Sequence, residues 1–507
     1  MIPAVDWLAK RARLSPNRVA LIEAATGQRI SYAEWNARAN RAAHALQALG
    51  LRKGDLMAIL STNRLEYLDL LFACQKTGVI LQALNFRLAV PELRALLQDI
   101  PPRALIYSGD LAEKAAALEE VAPQMIALDE PIRGAHHRWE DLQERASDRP
   151  VSPAPLTLED PWVLCYTGGT TGLPKAAILT HGTITWNAVN TVMSWGLRPD
   201  DLAILNAPLF HTGGLNVFTT PLVHIGGASI LCATFDPDQV FDLLERERVT
   251  LFFGVPTMFI RLQQHPRWER SDFSRCRIVI SGGAPCPMPV FERFFEKGVP
   301  FKTGYGLTEA GPNNFWLPDE KARHKPGSVG SPLFHVEVRV AQDGREVGPG
   351  EVGELWIRGP HVIPGYWNRP EETARTIVEG WLRTGDLARF DEEGDFYIVG
   401  RIKDVIISGG ENIYPAEVES VMLGHPDVAE AALIGVPDPE WGEVGRAIVA
   451  RRPGSALTET ELLAYLRARL AGYKVPKSVV FVQELPKTGA GKLDRTALKR
   501  QYGTERE

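Results

Sequence analysis

The sequence predicts an α/β fold with a large N-terminal domain of two α/β layers plus a small β-barrel, followed by a smaller α+β C-terminal domain. Three observations support this prediction. Apolar strand patterns alternate with helical patterns through about the first 300 residues, short strands between Gly/Asp turns follow after about residue 326, and a mixed pattern begins near residue 405. The chain has 507 residues, enough for about three domain-sized units.

The first layer contains the signals of one capped helix and of buried parallel strands. Ser31 and Glu34 have the spacing of a capping box, and apolar or small residues follow at helical spacing through Leu49. The short apolar runs at 56–60 and 104–107 are typical of buried strands. The same alternation predicts a second layer, with strands at 228–232, 251–253 and 277–280.

The remaining segments change in character. Short β-like runs at 336–340, 353–358 and 395–399 predict an antiparallel barrel or meander. Beyond them, the pattern predicts helices at 415–423 and 459–470 and strands at 428–435 and 447–450. We therefore predict an N-terminal domain at 1–400, a hinge at 401–404 and a C-terminal domain at 405–507.

Charge and cysteine content exclude several classes of protein. The net charge is -6, with 56 Lys+Arg against 62 Asp+Glu, so a nucleic-acid partner is not expected. Five scattered cysteines without a C-x-x-C pair indicate reduced thiols, and the N-terminus has no apolar signal segment, so a cytoplasmic protein is expected. Residues 202–235 contain no Asp, Glu, Lys or Arg, but several Gly, Pro and His residues interrupt the apolar sequence. They predict a buried strand–turn–helix segment rather than a transmembrane segment.

The segment 166–175 has the composition of a phosphate-binding loop. Its glycines free backbone N–H groups to surround an anion, and its threonines and lysine add donors and positive charge. The candidate ligands are Thr167, Gly168, Gly169, Thr170, Thr171, Gly172 and Lys175. Pro174 before Lys175 and Ala176 after it exclude a Walker loop, and a polar surface turn is the alternative. The G-x-G-x-x-G match at 348–353 precedes a strand pattern, so it predicts a β-turn.

Four further segments carry candidate functional residues. In 304–309, glycines flank Tyr305, which can stack on a base, and Glu309 can hold Mg²⁺. In 381–386, Asp386 beside a Gly turn can accept from ribose hydroxyls. The other two segments are 400–412 and 486–495, and the second places Lys492 on a Gly-rich loop. Taken alone, each is also consistent with an ordinary turn or a solvated surface lysine.

Together and in this order, the five segments resemble the adenylate-forming (AMP-binding) superfamily, which includes acyl-CoA synthetases, peptide-synthetase adenylation domains and firefly luciferase. The chain looks most like the stand-alone fatty-acid or aryl-carboxylate CoA ligases. The resemblance covers nearly the whole chain and implies a mobile C-terminal domain. Two departures stand out: Gly168 replaces the usual Ser, and Ala176 replaces the usual Gly.

The resemblance implies roles for individual residues. Residues 167–175 would surround the ATP phosphates, Thr308 would contact the α-phosphate, and Glu309 with Thr167 would serve Mg²⁺. Lys492 would reach the carboxylate and phosphate during adenylation. Lys403 would be the hinge residue, and His211 would be the gate of the acyl pocket. The residues implied around the nucleotide and pantetheine are Tyr305 and the stretch 281–285, which includes Gly283, Ala284 and Pro285, for adenine, Gly304 and Gly306 beside Tyr305 in the nucleotide site, Asp386 and Arg401 for ribose, and Ser408, Gly409, Gly410 and Glu411 for the pantetheine tunnel.

The implied function is an ATP-dependent, AMP-forming acyl-CoA ligase that uses Mg²⁺ and CoA. A carboxylic acid would be converted to acyl-AMP with release of pyrophosphate, and the acyl group would then pass to CoA. Phe210 and His211 stand where peptide-synthetase domains usually carry an Asp, which disfavours amino acids and favours a fatty or aromatic acid. The alternatives are an adenylating enzyme that passes acyl-AMP to a carrier protein, and a non-enzymatic nucleotide-binding protein. A homodimer is left open.

Overall fold

The strands of the described residues form two seven-stranded sheets, a six-stranded antiparallel sheet, a five-stranded C-terminal sheet and a short two-stranded pair. The computed structural model describes residues 2–131, 136–152, 155–168, 173–487 and 493–503. The predicted α/β class, with a large N-terminal part and a smaller C-terminal domain, is confirmed.

The first seven-stranded sheet is parallel except at one edge, where the strands on either side of the phosphate-loop segment pair antiparallel. Both runs predicted here as strands, 56–60 and 104–107, are confirmed. Across the sheet, the strands are His137–Arg138, Met125–Ala127, Ala104–Tyr107, Leu56–Leu60, Ile80–Ala83, Pro161–Thr167 and Lys175–Thr180.

The second seven-stranded sheet has the same plan, because its parallel strands also end in one antiparallel edge pair. Its three predicted strands are confirmed within one residue at each end. Across the sheet, the strands are Lys302–Thr303, Ile278–Ser281, Leu251–Gly254, Leu202–Leu205, Ala228–Leu231, Val19–Glu23 and Arg29–Ser31.

The central helices and both sheets share one hydrophobic core. Helix Leu65–Thr77 is buried at all but one position, as expected for a helix covered on every side. The ring of Phe72 on this helix lies with its centroid 5.0 Å from that of Trp35 and 5.6 Å from that of Trp162. The neighbouring helix Tyr32–Ala48 begins after the predicted capping box, which is confirmed.

The helices follow the strands in the alternation that the sequence predicts. Before the phosphate loop they are Trp7–Leu14, Tyr32–Ala48, Leu65–Thr77, Val90–Asp99, Ala112–Ala116 and Trp139–Glu144. After it they are His181–Ser194, Thr212–Asn216, Thr219–Ile225, Pro237–Arg246, Pro256–Gln264, Met288–Glu296, Asp319–Ala322 and Pro370–Thr376. In the C-terminal domain they are Pro415–Leu423, Glu459–Arg467 and Arg495–Tyr502.

The antiparallel sheet corresponds to the predicted barrel or meander. Its strands are Glu337–Gln342, Arg345–Glu346, Gly353–Arg358, Ile377–Val378, Trp381–Phe390 and Phe396–Arg401, and the short pair is Phe315–Trp316 with Ser331–Pro332. The C-terminal sheet contains Ile406–Ser408, Glu411–Ile413, Val428–Asp438, Gly442–Arg451 and Ser478–Val482. The G-x-G-x-x-G match forms a turn with Gly350 at φ +84°, as predicted.

The uncharged segment 202–235 is a strand, two short helices and a second strand, as predicted. Among the described residues, no helix combines the length and the apolar composition that crossing a membrane requires. The two parallel sheets matter for function because ligands of such sheets bind beyond the carboxyl ends of the strands. The segments that follow Thr167, Ser281 and Thr303 begin at such ends.

Candidate active site

The phosphate-loop segment connects two paired strands of the first sheet. Thr167 and Lys175 are register partners, so the loop starts and ends at the same point of the sheet edge. The Thr167 hydroxyl is 3.4 Å from the Lys175 carbonyl oxygen, which accepts its hydrogen. Gly168 is exposed. The predicted ligands Gly169, Thr170, Thr171 and Gly172 lie outside the described residues.

A tyrosine that the sequence analysis did not select connects the loop to the predicted metal carboxylate. The hydroxyl of buried Tyr366 donates to Glu309 Oε1 at 2.8 Å. Lys175 Nζ lies 4.6 Å from the centroid of the same ring. The structure therefore brings Lys175 to the ring and Glu309 to the hydroxyl of one tyrosine. The two residues are 134 positions apart in sequence (309 minus 175).

The donor set at Glu309 fits a magnesium ion. The carboxylate is partly exposed, and among the described residues the hydrogen bond from Tyr366 goes to Oε1, so Oε2 can face a hard cation. Within the described residues, no cluster of three metal-ligating side chains is present. This is consistent with Mg²⁺, which proteins bind through one or two carboxylates together with substrate phosphates.

Cys165 lies beneath the turn that carries Thr308 and Glu309. It is fully buried on strand Pro161–Thr167, and its thiol is near the Thr308 hydroxyl. Burial, together with the smaller effect of the Glu309 charge, raises the pKa of the Cys165 thiol to about 12. The thiol is therefore neutral at physiological pH, and it serves as packing under the predicted phosphate contact.

Tyr305, Asp386 and Arg401 meet on the other side of the candidate site. The Tyr305 hydroxyl donates to Asp386 Oδ2 at 2.7 Å, and Arg401 Nε donates to Asp386 Oδ1 at 3.0 Å. Desolvation and the Asp386 charge raise the pKa of Tyr305 well above its ordinary value. The phenol thus stays protonated, and the predicted adenine and ribose residues form one hydrogen-bonded unit.

Asp386 is positioned by the local structure of strand Trp381–Phe390. Its backbone N–H donates to the Thr384 hydroxyl oxygen at 3.1 Å, and that hydroxyl donates to the carbonyl oxygen of Leu355 at 2.6 Å. The N–H of Gly385, at φ +69°, donates to Glu354 Oε1 at 3.0 Å. The Thr-Gly-Asp sequence is therefore a kink in the strand that aims the carboxylate at Tyr305.

The predicted adenine segment follows strand Ile278–Ser281 at its carboxyl end. Gly283 has φ +81°, a conformation that favours glycine, and Ala284 and Pro285 follow it as exposed residues. In the neighbouring turn, Gly304 packs on Ile280, and a Cβ at Gly306 would lie 2.2 Å from the backbone of Pro312. Both glycines that flank Tyr305 are thus in tight contact with neighbouring residues.

His211 lies at the start of helix Thr212–Asn216, beside a small recess. Its ring centroid is 4.3 Å from that of Phe210, and its backbone N–H donates to the Pro208 carbonyl oxygen at 3.1 Å. The recess is narrow, with a cavity volume of about 10 Å³. It is lined by Ala203, Ile204, Leu205, Ala207, Gly213, Gly214, Val217, Phe218, Thr219, Ser229 and Phe253.

The predicted pantetheine residues form the turn of a β-hairpin in the C-terminal domain. Ser408 pairs with Glu411, and the two residues between them, Gly409 and Gly410, have φ +58° and +88°. Two central residues with positive φ are typical of a type I′ turn. The Gly409 N–H donates to the Trp441 carbonyl oxygen at 2.8 Å, which holds the turn against the C-terminal domain.

The predicted hinge is a single 3-10 turn, Ile402–Asp404, between strands of different sheets. On its N-terminal side, Arg401 binds Asp386. On its C-terminal side, Asp404 Oδ2 lies 3.6 Å from Arg495 Nε. Desolvation and the charge of Arg401 lower the pKa of Lys403. The predicted catalytic residue Lys492 lies outside the described residues.

Comparison with known proteins identifies the family. Residues 8–367 match the model of the AMP-binding enzyme family, and residues 417–492 match the model of the AMP-binding enzyme C-terminal domain. The chain belongs to the AMP-binding enzyme family. The predicted membership of the adenylate-forming superfamily is thereby confirmed.

The chain is similar to other members of the family over almost its whole length. It is 45% identical to feruloyl-CoA synthase of an Amycolatopsis species, and the match covers 98% of this chain and 99% of the relative. It is 36% identical to the long-chain-fatty-acid–CoA ligase FadD13 of Mycobacterium tuberculosis, covering 98% of both. Among solved structures, o-succinylbenzoate CoA synthetase of Bacillus subtilis with its acyl-adenylate intermediate has a TM-score of 0.89 at 34% identity, covering 100% of this chain and 99% of that chain.

These relatives confirm the predicted class of enzyme, an AMP-forming carboxylate–CoA ligase that uses ATP, Mg²⁺ and CoA. The predicted alternative, transfer of acyl-AMP to a carrier protein, is not favoured.

Proposed function

We propose that this CoA ligase acts on aromatic carboxylic acids rather than on long-chain fatty acids. The observation that carries the proposal is the narrow recess beside His211 and the residues that line it. Two of these residues, Ile204 and Ser229, are 3% exposed and belong to central strands of the second sheet. A long alkyl chain needs more depth between these strands than a compact ring does.

The side walls of the recess suit a flat group. A Cβ at Gly213 would lie 3.4 Å from Phe253 Cε1, and a Cβ at Gly282 would lie 3.1 Å from Cε2 of the same ring. The Phe253 ring therefore lies in a slot between two residues without side chains. Aromatic pairs favour offset or edge-to-face contact, which such a slot permits. Similarity supports the same choice, because identity is 45% to the feruloyl-CoA synthase and 36% to the long-chain ligase.

For the first half-reaction, we propose that a substrate carboxylate oxygen attacks the α-phosphorus of ATP, giving acyl-AMP and pyrophosphate. Lys175 and the loop N–H groups would hold the phosphates, and Thr308 would donate to the α-phosphate. Thr167 and Glu309 would hold Mg²⁺, which supplies positive charge against the phosphate oxygens. Preorganised donors of this kind typically account for about 10²–10³ in rate each. Lys492 is proposed to act in this step.

The nucleoside would be held by the hydrogen-bonded unit on the opposite side of the site. Tyr305 would present its ring to adenine, with Gly283, Ala284 and Pro285 as the facing backbone. Asp386 would accept from the ribose hydroxyls with Arg401 beside it. Support for this role comes from the buried Asp386 carboxylate, which two donors already orient.

For the second half-reaction, we propose that the CoA thiolate attacks the acyl carbon, forming the thioester and releasing AMP. Rotation of 405–507 about Lys403 would exchange the Lys492 loop for the Ser408–Glu411 turn. The two ion pairs next to the hinge support this position: Arg401 is bound to the N-terminal part and Asp404 to the C-terminal part. Backbone change would thus concentrate in the residues between them.

The substrate proposal is tested with a panel of carboxylic acids assayed for CoA-dependent AMP formation. Cinnamate-type and arylacetic acids should give kcat/KM values at least tenfold above those of long saturated acids, since one misfitting methylene already costs roughly 10- to 200-fold. A long saturated acid that outperforms every aromatic acid would contradict the proposal.

Gly213→Val places a branched side chain against Phe253, another residue that lines the recess. It should lower kcat/KM for aromatic acids about tenfold or more and leave the ATP requirement unchanged. Gly348→Val is the matched control, because a Cβ there meets only the end of the Glu351 side chain at 3.4 Å, in a turn of the antiparallel sheet. Equal losses in both variants would show that the recess does not hold the acyl group.

We also propose a cytoplasmic location and leave a homodimer as a proposal about assembly. The first is supported by the free thiols of Cys74, Cys165, Cys232, Cys276 and Cys286. Sedimentation velocity of the purified protein tests the second.

A further inference from the structure

Tyr366 contacts two side chains of opposite charge through different parts of its own side chain. Its hydroxyl donates to Glu309 Oε1 at 2.8 Å, and its ring lies under Lys175 Nζ at 4.6 Å. The ion pairs among the described residues include none between Lys175 and Glu309, although both side chains contact the same ring system. A direct pair would neutralise the charges that a metal–nucleotide complex needs.

The backbone around Tyr366 is tied to both of these groups. The N–H of Ile363 donates to the carbonyl oxygen of Glu309 at 2.9 Å. The N–H of Trp367 donates at 2.9 Å to the carbonyl oxygen of Ala176, the residue after Lys175. The segment 363–367 therefore bridges the end of the phosphate loop and the turn of the predicted metal carboxylate.

A local contact positions the backbone of Tyr366. The Tyr366 N–H donates to Thr373 Oγ1 at 3.0 Å, and the Thr373 hydroxyl donates to the Arg369 carbonyl oxygen at 2.8 Å. A Cβ at Gly365 would lie 2.6 Å from Thr373 Cγ2, so only glycine allows this approach. The Gly-Tyr pair and the threonine seven residues later form one rigid unit.

We propose that Tyr366 is a positioning residue for the Mg²⁺–ATP complex, a role that rests on the proposed assignments of Lys175 and Glu309. The hydroxyl fixes one oxygen of Glu309 and leaves the other free for the cation. The ring holds the Lys175 ammonium at the loop and prevents it from pairing with Glu309. Both groups are thereby kept available for the phosphates before ATP arrives.

The protonation state of Tyr366 agrees with this role. Burial raises the pKa of its hydroxyl, and the carboxylate of Glu309 raises it further. The hydroxyl therefore remains a hydrogen-bond donor throughout the neutral pH range, and the contact with Glu309 is constant rather than titratable.

Two variants of Tyr366 separate the contributions of the hydroxyl and the ring. Calorimetry with α,β-methylene-ATP measures binding without turnover at low and at saturating Mg²⁺. Tyr366→Phe should raise the Mg²⁺ concentration for half-maximal binding about tenfold, with nucleotide affinity at saturating Mg²⁺ nearly unchanged. Tyr366→Leu should in addition weaken affinity at saturating Mg²⁺ by about two- to fivefold, because the cation–ring contact is lost.

Tyr397 offers a matched control in the antiparallel sheet. Its hydroxyl donates to Asp391 Oδ2 at 3.4 Å, and Arg389 lies 4.4 Å from its ring centroid, so both contact types recur outside the candidate site. Tyr397→Phe should leave both binding quantities unchanged. Thermal unfolding of every variant verifies that the fold is intact.

Glu309→Gln distinguishes failure of this inference from failure of the underlying assignment. If Glu309→Gln raises the Mg²⁺ requirement and Tyr366→Phe does not, Tyr366 has no positioning role while the metal assignment stands. If Glu309→Gln leaves the requirement unchanged, the assignment is wrong and the role of Tyr366 falls with it. The double variant Tyr366→Phe/Glu309→Gln should require no more Mg²⁺ for half-maximal binding than Glu309→Gln alone. Additive increases in the Mg²⁺ requirement would overturn the proposal.

Discussion

At the scale of single residues, Gly168 is the position where this chain departs from the serine usual in the resembled family. A Cβ at Gly168 would meet no described atom within 4 Å, and its φ is not in the left-handed region. Gly168→Ser should therefore fold normally and lower the KM for ATP by about two- to tenfold, because a hydroxyl donor is added beside the phosphates. Steady-state kinetics with ATP as the varied substrate measures this change.

Gly306 supplies the contrast for that prediction. There a Cβ would lie 2.2 Å from the carbonyl group of Pro312, so Gly306→Ala should lower the melting temperature and abolish activity through the distorted Tyr305 turn. A rise in the ATP KM of Gly168→Ser with an unchanged melting temperature would show that the loop needs glycine for a reason other than space.

At the scale of elements, the hairpin Ile406–Ile413 joins two glycines in left-handed conformations to the ring of Trp441. A Cβ on Gly409 would lie 2.6 Å from Trp441 Cε3. Gly409→Ala should therefore displace the turn and slow thioester formation from supplied acyl-AMP about a hundredfold, since small misplacements of reacting groups are costly. ATP–pyrophosphate exchange should stay within about twofold of the parent enzyme.

Gly454→Ala is the matched control for the hairpin. Gly454 has φ +81° in another turn of the C-terminal domain, and a Cβ there meets nothing within 4 Å. Gly454→Ala introduces the same left-handed backbone strain as Gly409→Ala but no steric clash. The rates of both half-reactions should therefore be retained. Equal effects of the two substitutions would assign the loss to general destabilisation of the domain.

Elements with a clear pattern are the ones that could be predicted from the sequence. Strand Gly353–Arg358 and helix Pro415–Leu423 have the predicted bounds, because turn residues and prolines delimit them. The order of strands in each sheet could not be predicted, since parallel neighbours are set by packing between distant segments. Tyr366 was missed for the same reason: its function depends on a contact with Glu309, 57 residues away.

Within the candidate site, the residues that could be predicted are those marked by a local sequence motif. Tyr305 and Asp386 could be selected as candidates because glycine turns mark them. Their mutual hydrogen bond was not predictable, because it joins the turn after strand Lys302–Thr303 to a strand of the antiparallel sheet. The position of Cys165 under Thr308 had no signal in sequence, because a buried cysteine on a strand resembles any other small apolar residue.

At the scale of the whole molecule, the two domains are connected by a turn whose flanks are held from opposite sides. Arg401 is bound by Asp386 of the N-terminal part, and Asp404 is bound by Arg495, which also holds Glu419 at 2.7 Å in the C-terminal domain. The proposed rotation of the C-terminal domain would therefore leave both ion pairs intact only if the backbone changes between 401 and 404. Lys403 lies within this interval.

Lys403→Pro tests whether catalysis requires that change. Proline is tolerated in the first turn of a helix and fixes φ near about -65°, so the 3-10 turn Ile402–Asp404 can form but loses freedom to change. ATP–pyrophosphate exchange should be largely retained, while CoA thioester formation should fall about a hundredfold or more because the Ser408–Glu411 turn no longer reaches the acyl-AMP. Both half-reactions are measured on one protein sample.

Lys403→Ala is the matched control, because it removes the same ammonium and keeps the backbone free. Its two half-reactions should change by similar small factors. Parallel loss of both half-reactions in Lys403→Pro would indicate damage to the Arg401–Asp386 contact rather than restriction of a hinge. If thioester formation survives the proline, the pivot lies outside 402–404, and the pairs Arg401–Asp386 and Asp404–Arg495 must then open during each catalytic cycle.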